Sequence, residues 1–563
     1  MSSIDLLEAN HPAALQPGKG LQLFNHRPEL PSSKPNNNTM AFNDYFVTTS
    51  QPMHEVKRLE NVITRGGGGD KHNNISGTTT TTISSSLELL RSYGKGFRKL
   101  DAVQSRDETT TATTKKRKLS TEEVMRVAGE RYIQLSDRPR CDDFTMLMHP
   151  FGYALSSTLS EGEMMDVELA HLLFAAAEKV GYHHYDRASR LLTRCEWIAS
   201  DRSNAVQRVV HCFAEALRER IDRGLGRLFL GIPEVYGSSA SASSISNGFG
   251  MNLSSICLHQ QVPFSQVLQL TAVQAIVENV GSARKLHCID LEIRSGVIWT
   301  ALMQALSANQ ADGGGVEHLR VTAVVRISER FEVDDTGKRL ESFARSINFP
   351  FSFHVVYVAE SLSDLREDAF RIGFDESVVV FCSFVLRTLL ARPHRLENLM
   401  RVIKNLHPTL MVVSEAEANH NSPVFVTRFI EALFYYSAYF DSLDTCMADD
   451  AEQHRTMIEA TLSYGLRNIV AMEGNERTAR NVKLEVWRAF FSRFRMVELG
   501  FSESSMYQAG LVIKQFPQWK WCSVEKDDNK GLVVGWKGTP LFSLSVWKFS
   551  RDRLGRFFNY RFG

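Results

Sequence analysis

A predicted buried strand, loop and amphipathic helix in residues 286–306 constrain the fold of this chain more than any other segment. The apolar residues of LHCID predict a strand that ends at Asp290, residues 292–296 predict a loop, and residues 297–306 carry apolar side chains at three- and four-residue spacing. This order is typical of doubly wound α/β sheets, in which a ligand binds beyond the carboxyl end of the first strand.

The loop after this strand argues against a cofactor-dependent enzyme. Cofactor loops usually have two or three glycines, which allow the backbone to approach the ligand closely, whereas this loop has Gly296 alone and places Arg294 where a small residue is expected. We therefore expect no catalytic residue and no cofactor. A vestigial ligand pocket is the alternative, and its residues would be Asp290, Glu292, Gly296 and, after the second strand, Glu329.

A second polar group could form an acid–base site near residues 414–420. Ser414, Glu415, Glu417 and His420 follow a predicted strand, and the end of a strand is a place where such a site can be built. A structural role is the other interpretation. Residues 419–421 are also expected to cap the following helix.

Apolar runs at 321–325, 353–358, 378–381 and 409–413 predict further buried strands. Amphipathic segments separate them, which indicates a mostly parallel sheet covered on both faces. Short β runs at 510–513, 532–536 and 541–547 predict antiparallel strands that close one sheet edge. The fold class is therefore α/β, a Rossmann or methyltransferase-like, mostly parallel sheet. A helical cap at 160–225, a mobile small-residue loop within 225–255 and an α/β core at 256–548 complete the prediction.

The first 119 residues read as a disordered arm. Runs of asparagine, glycine, threonine and serine cannot bury enough apolar area to offset the entropy of ordering, so the arm should be dispensable for folding. Two short apolar stretches, 45–47 and 87–90, are either segments that dock on binding or chance hydrophobic residues. Ser120 to Glu123 predict a capped helix that opens a helical lead-in at 120–159.

A compact basic cluster ends the arm. Its four consecutive cations suit the acidic groove of a nuclear import receptor, and the alternative is a solvated charge cluster. The residues are Lys115, Lys116, Arg117 and Lys118.

Composition narrows the functional classes. A formal net charge of +1 over 563 residues argues against a surface built entirely for nucleic acid. The 8 cysteines form no CxxC pair, and Cys257 and His259 have no second ligand pair, so no metal site is expected. Scattered cysteines fit a reducing compartment. The sequence contains no apolar run of about 18 residues, so no membrane span is expected.

Several ordered blocks give this chain a family resemblance. The segment 286–290 resembles the VHIID motif of GRAS-domain proteins, the plant transcriptional regulators that include DELLA and SCARECROW-like proteins. Segments 414–444 and 458–491 resemble the family's PFYRE region, and 535–547 resembles its closing SAW motif, with Trp536 and Trp547. The VHIID-like residues are Leu286, His287, Cys288, Ile289 and Asp290.

The resemblance covers roughly 160–548 and implies a nuclear regulator. In the family, the first leucine-rich region, here within the helical cap, is implicated in association with partners. Expected partners are other transcription factors, other GRAS proteins in a homo- or heterodimer, and promoter DNA contacted directly or through them. The arm carries no DELLA string, and residues 549–563 form an extension beyond the motif.

Two LxxLL-like segments could dock on partner grooves, although any core helix shows the same spacing. Their leucines are Leu169, Leu172 and Leu173, and Leu386, Leu389 and Leu390. We therefore predict a co-regulator that acts through protein contacts. Direct sequence-specific DNA binding is the alternative, and an S-adenosylmethionine-type binder or methyltransferase is a third possibility.

Overall fold

The computed structural model describes most of the chain after residue 117 and a short segment before it. The described residues are 86–93, 118–136, 159–199, 203–227, 248–280, 283–310, 315–327, 330–359, 361–447, 449–528 and 530–550. Among them, no helix has the length and apolarity needed to cross a membrane.

Nine strands of the described residues form one mixed sheet in the order β3-β2-β1-β4-β5-β9-β8-β7, with β6 paired to β9. The first five strands are parallel, and β6 to β9 pair antiparallel to their neighbours. The chain order reverses between β1 and β4, which is where doubly wound sheets bind ligands. The strands are Lys285–Asp290 (β1), His318–Arg326 (β2), Phe351–Val358 (β3), Glu376–Ser383 (β4), Leu410–Ala416 (β5), Met496–Leu499 (β6), Cys522–Asp527 (β7), Gly531–Trp536 (β8) and Thr539–Phe549 (β9).

Helices cover both faces of this sheet and extend into a separate cap. In chain order they are residues 86–93 (α1), then Thr121–Ser136 (α2), Glu161–Gly181 (α3), Tyr185–Ile198 (α4), Ala205–Gly224 (α5), Gly248–Gln261 (α6), Pro263–Val280 (α7), Val297–Gln310 (α8), Arg330–Ser346 (α9), Pro393–Asn405 (α10), Phe425–Cys446 (α11), Glu452–Ala471 (α12), Leu484–Ser492 (α13) and Glu503–Lys514 (α14).

The interior strands are apolar because both of their faces are buried. Every residue of β5 is buried, and alternate residues of β1 enter different cores. Leu286 and Cys288 join the larger core, which includes α7 and α8, while Ile289 joins a second core with α10 and α13. This alternation places His287 on the opposite face from Cys288, as the strand pattern predicts.

The helical cap is joined to the sheet through α11, which is buried along most of its length.

The predicted start of α2 is also observed, because the Ser120 amide donates to Glu123 Oε2 and the Glu123 amide donates to Ser120 Oγ. On α3 the same capping box links Ser160 and Glu163. Arg208 on α5 pairs with Glu459 on α12.

The predicted disordered arm contains a segment that packs on the folded body. The ring of Tyr93 stacks on Phe434 of α11 at 3.9 Å, and its hydroxyl donates to Glu431 at 2.8 Å. Leu90 is buried, and Ser86 and Thr427 share a hydrogen bond of 2.9 Å. The prediction of disorder to residue 119 is therefore wrong for residues 86–93, because this short helix buries Leu90 against α2 and Tyr93 against α11.

Two local predictions near the sheet edge and the cap are also wrong. Residues 510–513, predicted as a β run, lie in α14, whose buried residues include Val512 and Ile513. Residues 248–255, predicted as part of a mobile loop, begin α6. The rest of that loop between 228 and 247, and the predicted extension from 551 onward, lie outside the described residues.

Candidate functional site

His287 of the VHIID-like strand links three neighbouring strands. Its Nε2 lies 2.8 Å from Thr322 Oγ1 on β2, and its Nδ1 lies 3.3 Å from Glu376 Oε2 on β4. Burial, reinforced by the charge of Arg320, lowers the pKa of His287 to about 4, so the ring is neutral at pH 7. The His287 side chain therefore connects β1 to β2 and β4 through polar contacts inside the sheet.

Asp290, at the carboxyl end of β1, is occupied by contacts within the protein. Its Oδ2 accepts a hydrogen bond of 2.9 Å from Trp299 Nε1, and its Oδ1 accepts one of 3.1 Å from the Glu292 amide. Burial raises the pKa of Asp290 to about 7. Trp299 is itself buried and meets Phe381 edge-on. In a dinucleotide-binding protein an acidic residue holds the ribose, but here the carboxyl group anchors the first turn of α8.

Gly296 serves the backbone and packing of the same loop. Its φ of +72° lies in the left-handed region, and a Cβ atom there would lie 3.1 Å from Thr336 Cγ2 and 3.3 Å from Leu340 Cδ1. The loop thus packs closely on α9. The structure brings Asp290, Glu292 and Gly296 together, whereas Glu329 lies outside the described residues. A ligand role for these four residues stays a prediction.

Two carboxylates at the carboxyl end of β5 accept hydrogen bonds from backbone amides of other segments. Glu415 Oε1 accepts from the amides of Leu386 at 2.9 Å and Arg387 at 3.3 Å, and Glu417 accepts from the Leu484 amide at 3.0 Å. Burial raises the pKa values of both glutamates to about 7. Each acid therefore holds a loop at the carboxyl edge of the sheet, in agreement with the structural interpretation.

His420 is a buried structural histidine. Its Nδ1 lies 2.8 Å from Asn481 Nδ2, and burial lowers the pKa of the ring to about 3. Residues 419–421 do not cap the next helix, because α11 begins at Phe425 and its preceding residue, Val424, makes no side-chain capping bond. The capping prediction was wrong because the side chain of His420 makes its hydrogen bond with Asn481, which is distant along the chain, and not with the first turn of α11.

The LxxLL-like leucines lie mostly in the interior. Leu169, Leu172 and Leu173 are buried on α3, and Leu386 and Leu389 are buried in a single 3₁₀ turn, where Leu390 is half-buried. Side chains in these positions contribute to the core, so the core interpretation describes their observed environment.

The SAW-like tryptophans are also buried. Trp536 on β8 donates from Nε1 to Asp441 Oδ2 of α11 at 2.7 Å, and the ammonium group of Lys537 lies 2.7 Å from the same oxygen. The Thr121 amide donates to Asp441 Oδ1 at 3.0 Å. Asp441 thus joins the closing strands, α11 and α2. Sequence reasoning missed it, since one acid in an apolar helix carries no distinctive spacing.

Trp547 on β9 stabilises the opposite face of the sheet. Its Nε1 donates to Ser545 Oγ at 2.9 Å, and its ring centroid lies 4.8 Å from that of Phe491 on α13. Trp536 belongs to the larger core and Trp547 to the second one. The two SAW-like tryptophans therefore pack on separate sides of the closing strands.

A group of exposed apolar side chains lies at one end of the cap. Trp197 near the end of α4 is 88% exposed, and Met164 and Met165 in the first turn of α3 are exposed as well. The spacing pattern did not single out these residues, because each lies on the polar side of its helix. We call Met164, Met165 and Trp197 the cap-end patch.

The predicted import signal falls largely outside the described residues. Lys115, Lys116 and Arg117 lie outside them, and Lys118, the first residue of the range 118–136, is exposed. No group of three or more potential metal ligands occurs among the described residues. His259 makes a hydrogen bond of 2.9 Å with Ser265, which accounts for one ring nitrogen.

The fold and the strand-end contacts define an α/β domain with a helical cap, in which the acids at the usual ligand edge hold the protein's own loops. The GRAS domain family model matches residues 169–548. This chain belongs to the GRAS family of plant transcriptional regulators.

The comparisons extend over about two thirds of the chain. It is 31% identical over 395 residues to DELLA protein GAI1 of Vitis vinifera, a match that covers 70% of this chain and 63% of the grape protein. It is 33% identical over 392 residues to DELLA protein RGL3 of Arabidopsis thaliana, covering 69% and 71% of the two chains. The crystal structure of SCL7 from Oryza sativa aligns with a TM-score of 0.57 and 25% identity, covering 68% of this chain and 99% of that one.

Proposed function

We propose that this chain regulates transcription in the nucleus as a co-regulator, without catalysis, through protein contacts made by its GRAS domain. Family membership supports a regulatory role. The single observation that favours protein contacts is the cap-end patch, in which Trp197 is 88% exposed. Exposed apolar side chains grouped at one place are typical of protein interaction sites, and tryptophan is enriched among the residues that dominate binding energy.

The connections of the cap direct the members of this patch toward the same end of the α3–α4 pair. A short turn joins α3 to α4, so the beginning of α3 and the end of α4 lie at the same end of the helical pair. Asn204, just before α5, donates to Asp166 of α3 at 3.0 Å and so returns the chain to that end. The amide of Leu119, the residue that follows Lys118, also donates to Glu163, which precedes Met164.

The partner is expected to be another transcription factor or a second GRAS protein, and promoter DNA is reached through it. The domain boundaries read from the sequence, with the GRAS domain at 160–548, belong to this proposal. The arm and the basic cluster supply localisation, and the cap supplies the docking surface.

Replacing Trp197 by alanine should reduce occupancy of target promoters while leaving the melting transition of the purified protein unchanged. A truncated interface tryptophan typically weakens binding by about 2 kcal/mol or more, or roughly 30-fold. Chromatin immunoprecipitation of the full chain would measure the loss. Tyr507→Ala is the matched control, because Tyr507 is an exposed aromatic residue on α14. Wild-type occupancy for Trp197→Ala would reject the cap-end patch as a docking surface.

Direct DNA binding is the alternative outcome, and salt dependence separates it from the co-regulator. Contacts with phosphates release counterions, so direct binding should weaken steeply between about 50 mM and about 200 mM salt. Fluorescence anisotropy with a labelled promoter fragment and the purified chain tests this directly. A co-regulator should show no preference for the promoter sequence over a scrambled one at either salt concentration.

Replacing Lys115, Lys116, Arg117 and Lys118 with alanine should shift a fluorescent fusion from the nucleus toward the cytoplasm. An import receptor recognises such a cluster through its positive charge. Replacement of the three lysines by arginine is the matched control, because it keeps all four charges and should retain nuclear signal. A nuclear alanine variant would assign import to another segment or to a carried partner.

A further inference from the structure

Three aromatic rings meet between the end of β4 and α11, and the partly exposed surface that they present is called the recess below. The ring of Phe542 on β9 lies 5.5 Å from that of Phe384, just after β4, and 5.5 Å from that of Tyr439 on α11. Both contacts are edge-on, with interplanar angles of 78° and 85°. Phe542 is buried, whereas Phe384 and Tyr439 are half-buried. Phe542 is therefore the inner ring of the three, and Phe384 and Tyr439 are the partly exposed ones.

Two arginines at this recess have no carboxylate within ion-pair distance among the described residues. The guanidinium carbon of Arg294 lies 5.5 Å from the ring centroid of Phe384, and that of Arg387 lies 5.9 Å from it. Arg387 donates to the Phe384 carbonyl and to Asn481 Oδ1, both neutral groups. Arg294 is exposed and makes no side-chain hydrogen bond in that part of the chain. The two cations are therefore available to an anion.

The base of the recess contains a buried acid with a vacant acceptor. Glu415 is 2% exposed, and its Oε2 has no hydrogen-bond partner among the described residues, although Oε1 holds two amides. Ala416, the next residue, pairs in register with Phe542. Burial raises the pKa of the Glu415 carboxyl group to about 7, although the positive charges of Arg387 and Arg294 lower it. Buried polar atoms without a partner are uncommon in folded proteins, so this oxygen distinguishes the place from an ordinary packed core.

The backbone supports a specialised role for this place. Phe384 has a φ of +57°, a left-handed conformation that is unfavourable for a bulky residue. Such conformations concentrate at ligand-binding and active sites. Phe384 also follows β4 directly, beside the point where the strand order reverses, and doubly wound sheets bind ligands there.

We propose that this recess binds a small organic acid, whose carboxylate pairs with Arg294 and Arg387 and whose apolar body lies against Phe384, Tyr439 and Phe542. Arginine recognises carboxylates through charge-assisted hydrogen bonds. The three rings favour an apolar body over a bare inorganic anion. Asp290 itself takes no part in this site, because both of its carboxyl oxygens are already bonded within the protein.

Titration of the purified full chain with 8-anilinonaphthalene-1-sulfonate tests this site, because the probe joins an aromatic body to an anionic group. Its neutral counterpart, N-phenyl-1-naphthylamine, has the same body without the charge. We expect the anionic probe to bind about tenfold more tightly or better, and decanoate but not decanol to displace it. Equal affinity for the two probes would overturn the proposal.

Single variants assign the binding to the recess. Arg294→Gln should weaken the anionic probe about tenfold, and its exposed side chain can be replaced without threatening the fold. Arg284→Gln is the matched control, since this exposed arginine precedes the same strand at its other end and should change nothing. Glu415→Gln removes a nearby negative charge at pH 8 and should strengthen binding. Unchanged affinity in Arg294→Gln, or weaker binding in Glu415→Gln with an unaltered melting transition, would overturn the proposal.

Discussion

Replacing Trp536 by alanine should lower the free energy of unfolding by about 3–5 kcal/mol. The indole is fully buried in the larger core, and its loss also leaves Asp441 Oδ2 without one of its two partners. Chemical denaturation followed by tryptophan fluorescence or circular dichroism would measure the change. An effect of this size is a large share of the net stability of a typical domain, about 5–15 kcal/mol.

Trp519→Ala is the matched control for this substitution. Trp519 is 41% exposed in a short 3₁₀ turn before β7, so its removal should cost much less. Trp547→Ala should resemble Trp536→Ala, because Trp547 packs on Phe491 in the second core. The opposite result, a wild-type melting transition with lost partner binding, would mean that the closing tryptophans form a recognition surface.

Deleting residues 1–94 should lower the free energy of unfolding by about 2–5 kcal/mol, whereas deleting residues 1–85 should leave it nearly unchanged. The first deletion removes the buried Leu90 and the Tyr93 ring that stacks on Phe434, and the second retains α1 with both contacts. Paired thermal and denaturant unfolding of the two truncations would test this. Equal stability of the two proteins would contradict the packing of α1.

A single substitution on α2 gives an independent test of the same contact. A Cβ atom at Gly129 would lie 2.8 Å from Leu90 Cδ1, so Gly129→Ala should force the buried Leu90 side chain to move and weaken the docking of α1. Alanine favours a helix more than glycine does, by about 1 kcal/mol. If α1 were undocked in solution, Gly129→Ala would stabilise the protein. Faster proteolysis near residues 86–93 in this variant is the expected observation.

The interior strands of the sheet could be predicted because burial of both faces requires continuous apolar runs in the sequence. Strands β1 to β5 are parallel and β1, β2, β4 and β5 are mostly buried, so continuous apolar runs identified them. By contrast, β7 pairs with a single strand and reads CSVEKD, and β6 has four residues. Neither produces an apolar run. The apolar run at 510–513 was wrongly predicted as a strand, because its buried side chains belong to α14, which packs on α7.

The site was predicted in part, because the sequence shows which residues are unusual but not which distant residues they meet. His287 and Asp290 stood out in their motif, yet Thr322, Glu376 and Trp299 come from other elements. Arg294 was noticed as a misfit in a glycine-type loop. Its neighbour Phe384 lies 90 residues further along the chain, and no spacing rule connects them.

The position of β9 in the chain has a consequence for synthesis on the ribosome. This strand pairs with β5, β6 and β8, all of which emerge before it. Until β9 emerges, the backbone groups on the outer side of β5 have no partner, and an open strand edge readily pairs with other chains. Translation that stops before residue 539 should therefore yield an aggregation-prone product that depends on chaperones. Premature stop codons before residue 539 would then act as complete losses of the protein.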